Sequence, residues 1–174
     1  MNFTFSISSS NIHEFVKHWS PKYVYSDHDK YLNNIGKPLT SSSRRNLFEW
    51  KNGGVISKLK LKSISENYPL KFPENMEERY LNHKLGGGAI WNIFYLHCFS
   101  PKIYPIFDQH NYRAMIYLKT GKIKEIPNSD KIKYELYKNE FIPFFYSLKN
   151  IDHRELDKAL FSFGKFLKTA KSYI

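Results

Sequence analysis

Asp108 is the residue whose type and setting best fit chemistry. It follows the apolar and aromatic segment YPIF (104–107) and precedes the polar segment QHN (109–111). A carboxylate at such a boundary can stabilise a cationic transition state or activate a water molecule. The same aspartate can instead be the N-cap of the following helix, a role worth about 1 kcal/mol that involves no chemistry. The residues alone leave both roles open.

Three consecutive glycines, Gly86, Gly87 and Gly88, precede Asp108, and Lys84 lies beside them. Glycine allows positive φ and a close approach of the backbone, so a glycine turn before a helix can direct N–H groups at a phosphate. Such contacts position a protein on nucleic acid without reading its sequence. A plain turn between two helices with a glycine C-cap is the structural alternative.

The charge of the chain favours an anionic partner. The formal net charge is +11 and the sequence pI is near 9.6, which indicates nucleic acid ahead of an acidic membrane. Lysine supplies most of the basic residues, and the richness in Lys, Asn, Ile, Tyr and Phe is also what an AT-rich genome produces without selection for binding. We expect double-stranded DNA as the partner, with genome composition as the other source of the charge.

Cysteine and histidine usage limits the chemistry further. One cysteine, Cys98, excludes an intrachain disulfide, a cysteine-ligated iron–sulfur cluster and a cysteine-based zinc site. Its apolar surroundings predict a buried, inert thiol. The histidines have no convincing ligand partners in the sequence, so we expect no metal and no other cofactor.

The N-terminal stretch lacks the basic start and the apolar core of a signal peptide. No apolar run approaches the roughly 18 residues that cross a bilayer. We therefore expect a cytoplasmic protein without a membrane partner.

The elements that would position Asp108 are helices. Apolar spacing and capping residues predict a mainly α chain, in which Asp108 and Asp152 each cap a helix and Pro143 kinks one. The predicted helices cover residues 12–19, 44–51, 55–68, 74–85, 89–99, 109–119, 131–148 and 153–172.

Asp108, His110 and Arg113 form the pattern D-x-H-x-x-R, which follows the glycine turn and an apolar helix. This arrangement resembles the core of the helix-hairpin-helix (HhH-GPD) DNA glycosylase superfamily, in which a hairpin precedes a helix, a proline-containing crossover and an essential aspartate. The resemblance covers residues 74–118, and the segment 159–168 with Gly164 is similar to the closing helix of that superfamily. It implies an HhH-GPD-like fold, with a divergent N-terminal part over 1–72 and the core over 73–174, together one compact unit.

The chain departs from the superfamily at three places. The family hairpin usually reads L-P-G-V-G, whereas this chain has LGGG at 85–88. Bifunctional members carry a lysine nucleophile early in the next helix, where this chain has AIWN at 89–92. A four-cysteine cluster of some relatives is also absent. The resemblance therefore implies a monofunctional mechanism that uses the aspartate and water.

Carried onto this sequence, the resemblance assigns three kinds of site residue. Asp108 is the expected catalytic residue. Arg113 is expected at or near the DNA strand, and a buried ion pair is its alternative. Trp91, Tyr95 and Phe107 are candidates for a base pocket, although each also suits a core. The residues expected to contact DNA are Lys84, Gly86, Gly87, Gly88, Gln109, His110 and Arg113.

The function expected from these features is hydrolysis of the N-glycosidic bond of a damaged or modified base in DNA. The base could be a common lesion, which means DNA repair by base excision, or a modification of invading DNA, which means phage defence. Two alternatives stay open. One is a non-catalytic DNA-binding helix-hairpin-helix module, and the other is a regulatory or antitoxin-type interaction protein.

Overall fold

The computed structural model describes residues 12–71, 74–82 and 86–171. Helices account for 66% of these residues, and no strand occurs among them. The prediction of a mainly α chain is therefore confirmed. The HhH-GPD-like arrangement of the helices stays a prediction.

Ten α-helices occur in the described part of the chain. A short 3-10 helix follows the first of them at Ser20–Lys22, and a π-helical turn at Tyr137–Phe141 separates the eighth from the ninth. The α-helices are α1 (Ile12–Trp19), α2 (His28–Leu32), α3 (Ser41–Asn52), α4 (Lys58–Asn67), α5 (Met76–Tyr80), α6 (Ala89–Phe99), α7 (Gln109–Thr120), α8 (Asp130–Leu136), α9 (Ile142–Ser147) and α10 (His153–Ala170).

The chain divides into two compact units. The described residues of Met1–Val24 and of Pro105–Ile174 form one, called here the α7–α10 unit, in which α10 packs on α7 and on α1. Tyr25–Tyr104 forms the other, called the α2–α6 unit. The parts 1–72 and 73–174 that the resemblance implies remain a prediction.

The two aspartate caps have matching geometry. Asp108 Oδ1 accepts hydrogen bonds from the amides of His110 and Asn111 at 2.9 and 3.0 Å. Asp152 Oδ1 accepts from the amides of Arg154 and Glu155 at the same two distances. Each cap satisfies backbone donors that the first turn of a helix cannot pair. Both predicted caps are confirmed.

Two predicted helices differ most from the structure. The helix predicted over 74–85 is helical only at Met76–Tyr80, and residues 83–85 lie outside the described part. Tyr80, at its end, is buried and donates its hydroxyl to the Asn67 carbonyl at 2.9 Å. The helix predicted over 131–148 widens into its π turn just before Pro143, whose missing N–H leaves a carbonyl of the preceding turn without its usual partner.

The apolar stripe of α10 forms much of the core of its unit. Phe166 is the exception, because 51% of it is exposed and its ring lies against that of Trp19. The buried members of the stripe are Leu156, Ala159, Leu160, Phe163 and Leu167.

Gly164 lets α10 approach the first turn of α7. A Cβ at this position would overlap the carbonyl oxygen of His110 and lie 2.6 Å from its carbonyl carbon. Both are backbone atoms of a helix, so the overlap cannot be relieved by a side-chain rotation. The small residue at 164 is therefore a packing requirement between α7 and α10.

We predict that Gly164→Ala destabilises the protein by about 1–3 kcal/mol, because an overpacked helix contact costs more than the helix propensity gained. Helix propensity alone would make the alanine variant about 1 kcal/mol more stable. A loss of stability would therefore indicate the overpacked contact. Urea denaturation measures the effect, with Lys165→Ala on the exposed face of α10 as control. Equal or higher stability of Gly164→Ala would contradict the close contact.

Candidate functional site

The crossover before α7 fixes the position of Asp108. Phe107 is 1% exposed, and its ring lies 5.3 Å from that of Tyr137 and 5.0 Å from that of Phe141. Asp108 is half-buried, and its Oδ1 is held by the two amides of the α7 cap. One carboxylate oxygen is thus oriented by the α7 cap, directly after a buried aromatic residue.

Arg113 is a buried ion-pair partner. Its side chain is 1% exposed, and its guanidinium donates to Glu125 Oε2 at 2.6 Å and to the Gly164 carbonyl at 2.8 Å. A buried guanidinium keeps its charge, so it requires a carboxylate and further acceptors at these distances. The structure therefore shows the buried ion pair that was the alternative for Arg113, with the side chain enclosed in the protein.

Glu125 pairs with several polar side chains near the start of α7. Besides Arg113, it accepts a hydrogen bond from Gln109, and Lys171 Nζ lies 3.6 Å from its Oε1. The hydrogen bond from Arg113 holds the pKa of this carboxyl below its usual value, against an opposing effect of burial. Gln109 is half-buried and engaged with Glu125.

His110 is half-buried between α7 and α10. Its ring meets that of Phe161 edge-on at 4.8 Å, and its Nδ1 lies 3.2 Å from Arg113 Nη1. Arginine can only donate, so Nδ1 is the acceptor and the ring proton lies on Nε2. Burial lowers the pKa of His110 below its usual value. Burial and the neighbouring Arg113 guanidinium both disfavour a positive charge on this imidazole.

A buried polar pair beside the motif was not foreseen from the sequence. Asn111 donates to Asp157 Oδ1 at 2.8 Å and to the Ile106 carbonyl at 2.9 Å, and Asp157 also forms an ion pair with Arg154. The signal for it is Asp157, which lies in the sequence between Leu156 and Ala159 of the apolar stripe of α10. This pair attaches the crossover and α7 to α10.

The glycine turn belongs to the α2–α6 unit, and it has a specific backbone conformation. Gly87 and Gly88 have φ of +101° and +79°, values that side-chain-bearing residues rarely adopt. Buried Asn92 donates to the Gly86 carbonyl at 3.3 Å and accepts from the Tyr68 hydroxyl at 2.8 Å. The sequence analysis did not predict these hydrogen bonds. The feature that could have indicated them is the lone asparagine in the apolar run AIWNIFYL.

The turn leads directly into α6. Gly88 is the N-cap of α6, and glycine has no side chain that could accept from the first amides of that helix. Amides in this position bind anions in many proteins. Gly86 and Gly87 are exposed, so the turn is accessible. Lys84, the basic residue expected beside it, lies outside the described residues.

The three base-pocket candidates have different surroundings. Tyr95 and Phe107 are buried in the cores of their respective units, and Tyr95 donates its hydroxyl to the Pro69 carbonyl. Trp91 is half-buried and stacks on Phe48, with ring centroids 5.4 Å apart. Lys60 Nζ lies over the Trp91 ring, 4.1 Å from its centroid. Of the three, Trp91 has the accessible aromatic surface.

The residues of the D-x-H-x-x-R motif, with Gln109 and Phe107, thus lie together in the α7–α10 unit. The glycines, Trp91 and Tyr95 belong to the α2–α6 unit. No family model, curated protein or solved structure matches this chain. The superfamily resemblance consequently stands on its residues alone.

Two further findings concern metals and membranes. Among the described residues, no group of three or more His, Cys, Asp or Glu side chains could hold a metal ion. In the same part of the chain, every helix is too short or too polar to cross a bilayer. Cys98 is a buried free thiol whose pKa is raised by burial, as expected for an inert cysteine.

We predict that Gly87→Ala is destabilising and that Gly86→Ala is tolerated. A Cβ at Gly87 would overlap the Tyr68 hydroxyl and lie 2.6 Å from Asn92 Oδ1, in a backbone conformation that alanine rarely adopts. A Cβ at Gly86 would meet Asn67 Oδ1 at 3.8 Å, an ordinary contact. Thermal denaturation of both variants tests this, and equal melting temperatures would contradict the assigned turn geometry.

We predict that Glu125→Gln lowers the free energy of unfolding at neutral pH by about 1–2 kcal/mol, less than for a fully buried pair because Glu125 is partly exposed. The depressed pKa of Glu125 stabilises the fold above the usual glutamate pKa, and this stabilisation is lost as pH falls through the folded-state pKa. The difference between parent and variant should therefore shrink in acid.

Chemical denaturation over a pH series measures this difference. Glu140→Gln is the matched control, because Glu140 pairs at 2.9 Å with the exposed Lys119 rather than with a buried arginine. Its effect should stay within about 0.5 kcal/mol at every pH. A Glu125→Gln variant as stable as this control at neutral pH would show that Arg113 does not depend on Glu125.

Proposed function

We propose that this chain binds double-stranded DNA and hydrolyses the N-glycosidic bond of a damaged or modified base, with Asp108 as the catalytic residue. The observation that most supports this proposal is the environment of the Asp108 carboxylate. It is half-buried, one of its oxygens accepts hydrogen bonds from two backbone amides, and it follows the buried Phe107. A carboxylate oriented in advance is what stabilisation of a developing positive charge requires.

The proposed reaction breaks the bond between the sugar C1′ and the base nitrogen. The base first leaves the stack, at a cost of a few kcal/mol, and its departure gives the sugar oxocarbenium character. The negative charge of Asp108 lowers the energy of that cation. Water then supplies hydroxide to C1′ and a proton to the departing base. Residues 89–92 contain no lysine, so no covalent amine intermediate belongs to the scheme.

DNA binding in this proposal depends on backbone amides and lysines. The glycine turn offers amides at the start of α6, and the chain carries a net charge of +11. Contacts to phosphate make affinity fall steeply with salt. Arg113 and the buried Tyr95 and Phe107 are not part of the proposed binding surface, because their side chains are enclosed in the protein.

Base release from a panel of duplexes that contain modified bases tests the proposal. We predict that Asp108→Asn lowers the rate by a factor on the order of 10²–10³, as expected for the removal of a preorganised electrostatic interaction. Asparagine is also a good N-cap, so the fold should be retained. Asp152→Asn is the matched control, since Asp152 caps α10 with the same geometry. Equal rates of base release for the two variants would show that Asp108 is not the catalytic residue.

A non-catalytic DNA-binding module is the second candidate, and a specific observation favours it. The capping bonds of Asp108 account for an aspartate at the start of α7 without any reaction. If the parent protein binds duplexes but releases no base from any of them, this second candidate replaces the first. If gel shifts find no DNA binding even at low salt, both fail and an interaction protein remains.

A further inference from the structure

Asn111 contacts Asp108 and the chain before it at the same time. Its backbone N–H donates to Asp108 Oδ1 at 3.0 Å. Its side-chain Nδ2 donates to the carbonyl oxygen of Ile106, in the crossover just before Asp108, at 2.9 Å. A single residue in the first turn of α7 therefore holds both the Asp108 carboxylate and the backbone that leads into it.

Asp157 of α10 fixes the orientation of the Asn111 amide. Its Oδ1 accepts from the same Nδ2 at 2.8 Å, and the Asp157 carboxylate is also paired with Arg154. A carbonyl oxygen and an ionised carboxylate can only accept, so the amide nitrogen must face both and uses one N–H for each. Asn111 is 0% exposed and Asp157 is 6% exposed, so both hydrogen bonds lie inside the protein.

The cap of α10 shows that capping does not require this side chain. Glu155 occupies in that cap the position of Asn111, and its amide donates to Asp152 Oδ1 at 3.0 Å. The hydrogen bonds of the Glu155 side chain go to Ser20 and Lys158, which lie outside the chain that leads into Asp152. Backbone amides thus hold both aspartates alike, and the side-chain bonds of Asn111 are an addition at the start of α7.

The buried polar pair makes the contact between α7 and α10 less stable than an apolar one. Asn111 Oδ1 is enclosed, and among the residues that the structure describes none donates a hydrogen bond to it. A buried acceptor without a donor and an enclosed carboxylate both destabilise a fold. Two apolar residues would fill the same contact without either penalty. Rules of stability are broken most often at functional sites, and this exception lies next to Asp108.

We propose that Asn111 and Asp157 are positioning residues for the reaction at Asp108. The Asn111 amide holds the carbonyl of Ile106, and Asp157 sets the direction of that amide. The backbone on both sides of Asp108 is thereby attached to α7 and α10, which fixes the direction in which the carboxylate faces the sugar. Neither side chain touches the substrate or moves a proton. This inference rests on the proposed function, because it assigns the residues that orient its catalytic group.

Leucine substitutions test the inference, because leucine has the branched shape of asparagine and aspartate without their polar atoms. We predict that Asn111→Leu with Asp157→Leu lowers the single-turnover rate of base release about 10- to 100-fold, as a small misplacement of a catalytic group does. The substrates are duplexes that each carry one deaminated, oxidised or methylated base. Affinity for a duplex with a tetrahydrofuran abasic analogue, measured by fluorescence anisotropy, should change less than about twofold.

Thermal denaturation separates positioning from simple support of the fold. Asn111→Leu and Asp157→Leu each leave one buried partner without the other, so each should lower the melting temperature. The double variant leaves neither an unpaired carboxylate nor an unpaired amide, and it should be at least as stable as either single variant. We therefore expect a double variant that is folded and slow, a combination that a loss of stability does not produce.

Two variants serve as controls for the rate. Asp157→Asn keeps an oxygen that can accept from Asn111 Nδ2, so its rate should stay within about threefold of the parent rate. Glu155→Leu changes the corresponding residue in the cap of α10, where the side chain does not hold the preceding chain. Its rate of base release should equal that of the parent.

Three results would overturn this inference and leave the proposed function intact. The first is a folded double variant that releases base at the parent rate. The second is a loss of affinity for the abasic duplex as large as the loss of rate, which would place the effect in binding. The third is an Asp157→Asn variant as slow as the double variant, since the hydrogen bond to Asn111 would then not be the cause. A parent that releases no base from any duplex removes the proposed function and this inference together.

Discussion

The buried guanidinium of Arg113 is the interaction on which the α7–α10 unit depends most. It lies at 1% exposure and connects α7 to the Gly164 carbonyl of α10 and to Glu125 in the segment after α7. A charge in this position is tolerated only with all its partners in place, since an unpaired buried cation would cost several kcal/mol. Gly164 makes the arrangement possible, because any side chain there would push α10 away from the first turn of α7.

This constraint separates the D-x-H-x-x-R motif into two parts. Arg113 faces inward, and His110 lies half-buried beside it against α10. Asp108 is half-buried at the helix start, with its orientation fixed by backbone amides. The inward part holds α7 against α10, and the Asp108 carboxylate is the group in the motif that we propose to be catalytic. Asp152 shows that the same cap geometry occurs in this chain at a place with no such setting.

Local features were predictable from the sequence, because their physical causes are local. The caps at Asp108 and Asp152 and the bounds of α6 follow from residue types within one or two turns. The buried Asn111–Asp157 pair and the Arg113–Glu125 ion pair join positions 46 and 12 residues apart, and the sequence pattern does not indicate such partners. The helix predicted over 74–85 was too long, since α5 ends at Tyr80, whose hydroxyl donates to the Asn67 carbonyl.

We propose that Asp108 performs chemistry in addition to capping α7. The most direct test is the formation of abasic sites, detected with an aldehyde-reactive probe, in DNA that carries damaged or modified bases and has been incubated with the protein. We expect aldehyde sites with the parent protein and with Asp152→Asn, and a background level with Asp108→Asn. Equal aldehyde signals for parent and Asp108→Asn, or no signal above background with the parent on any DNA, would contradict this proposal.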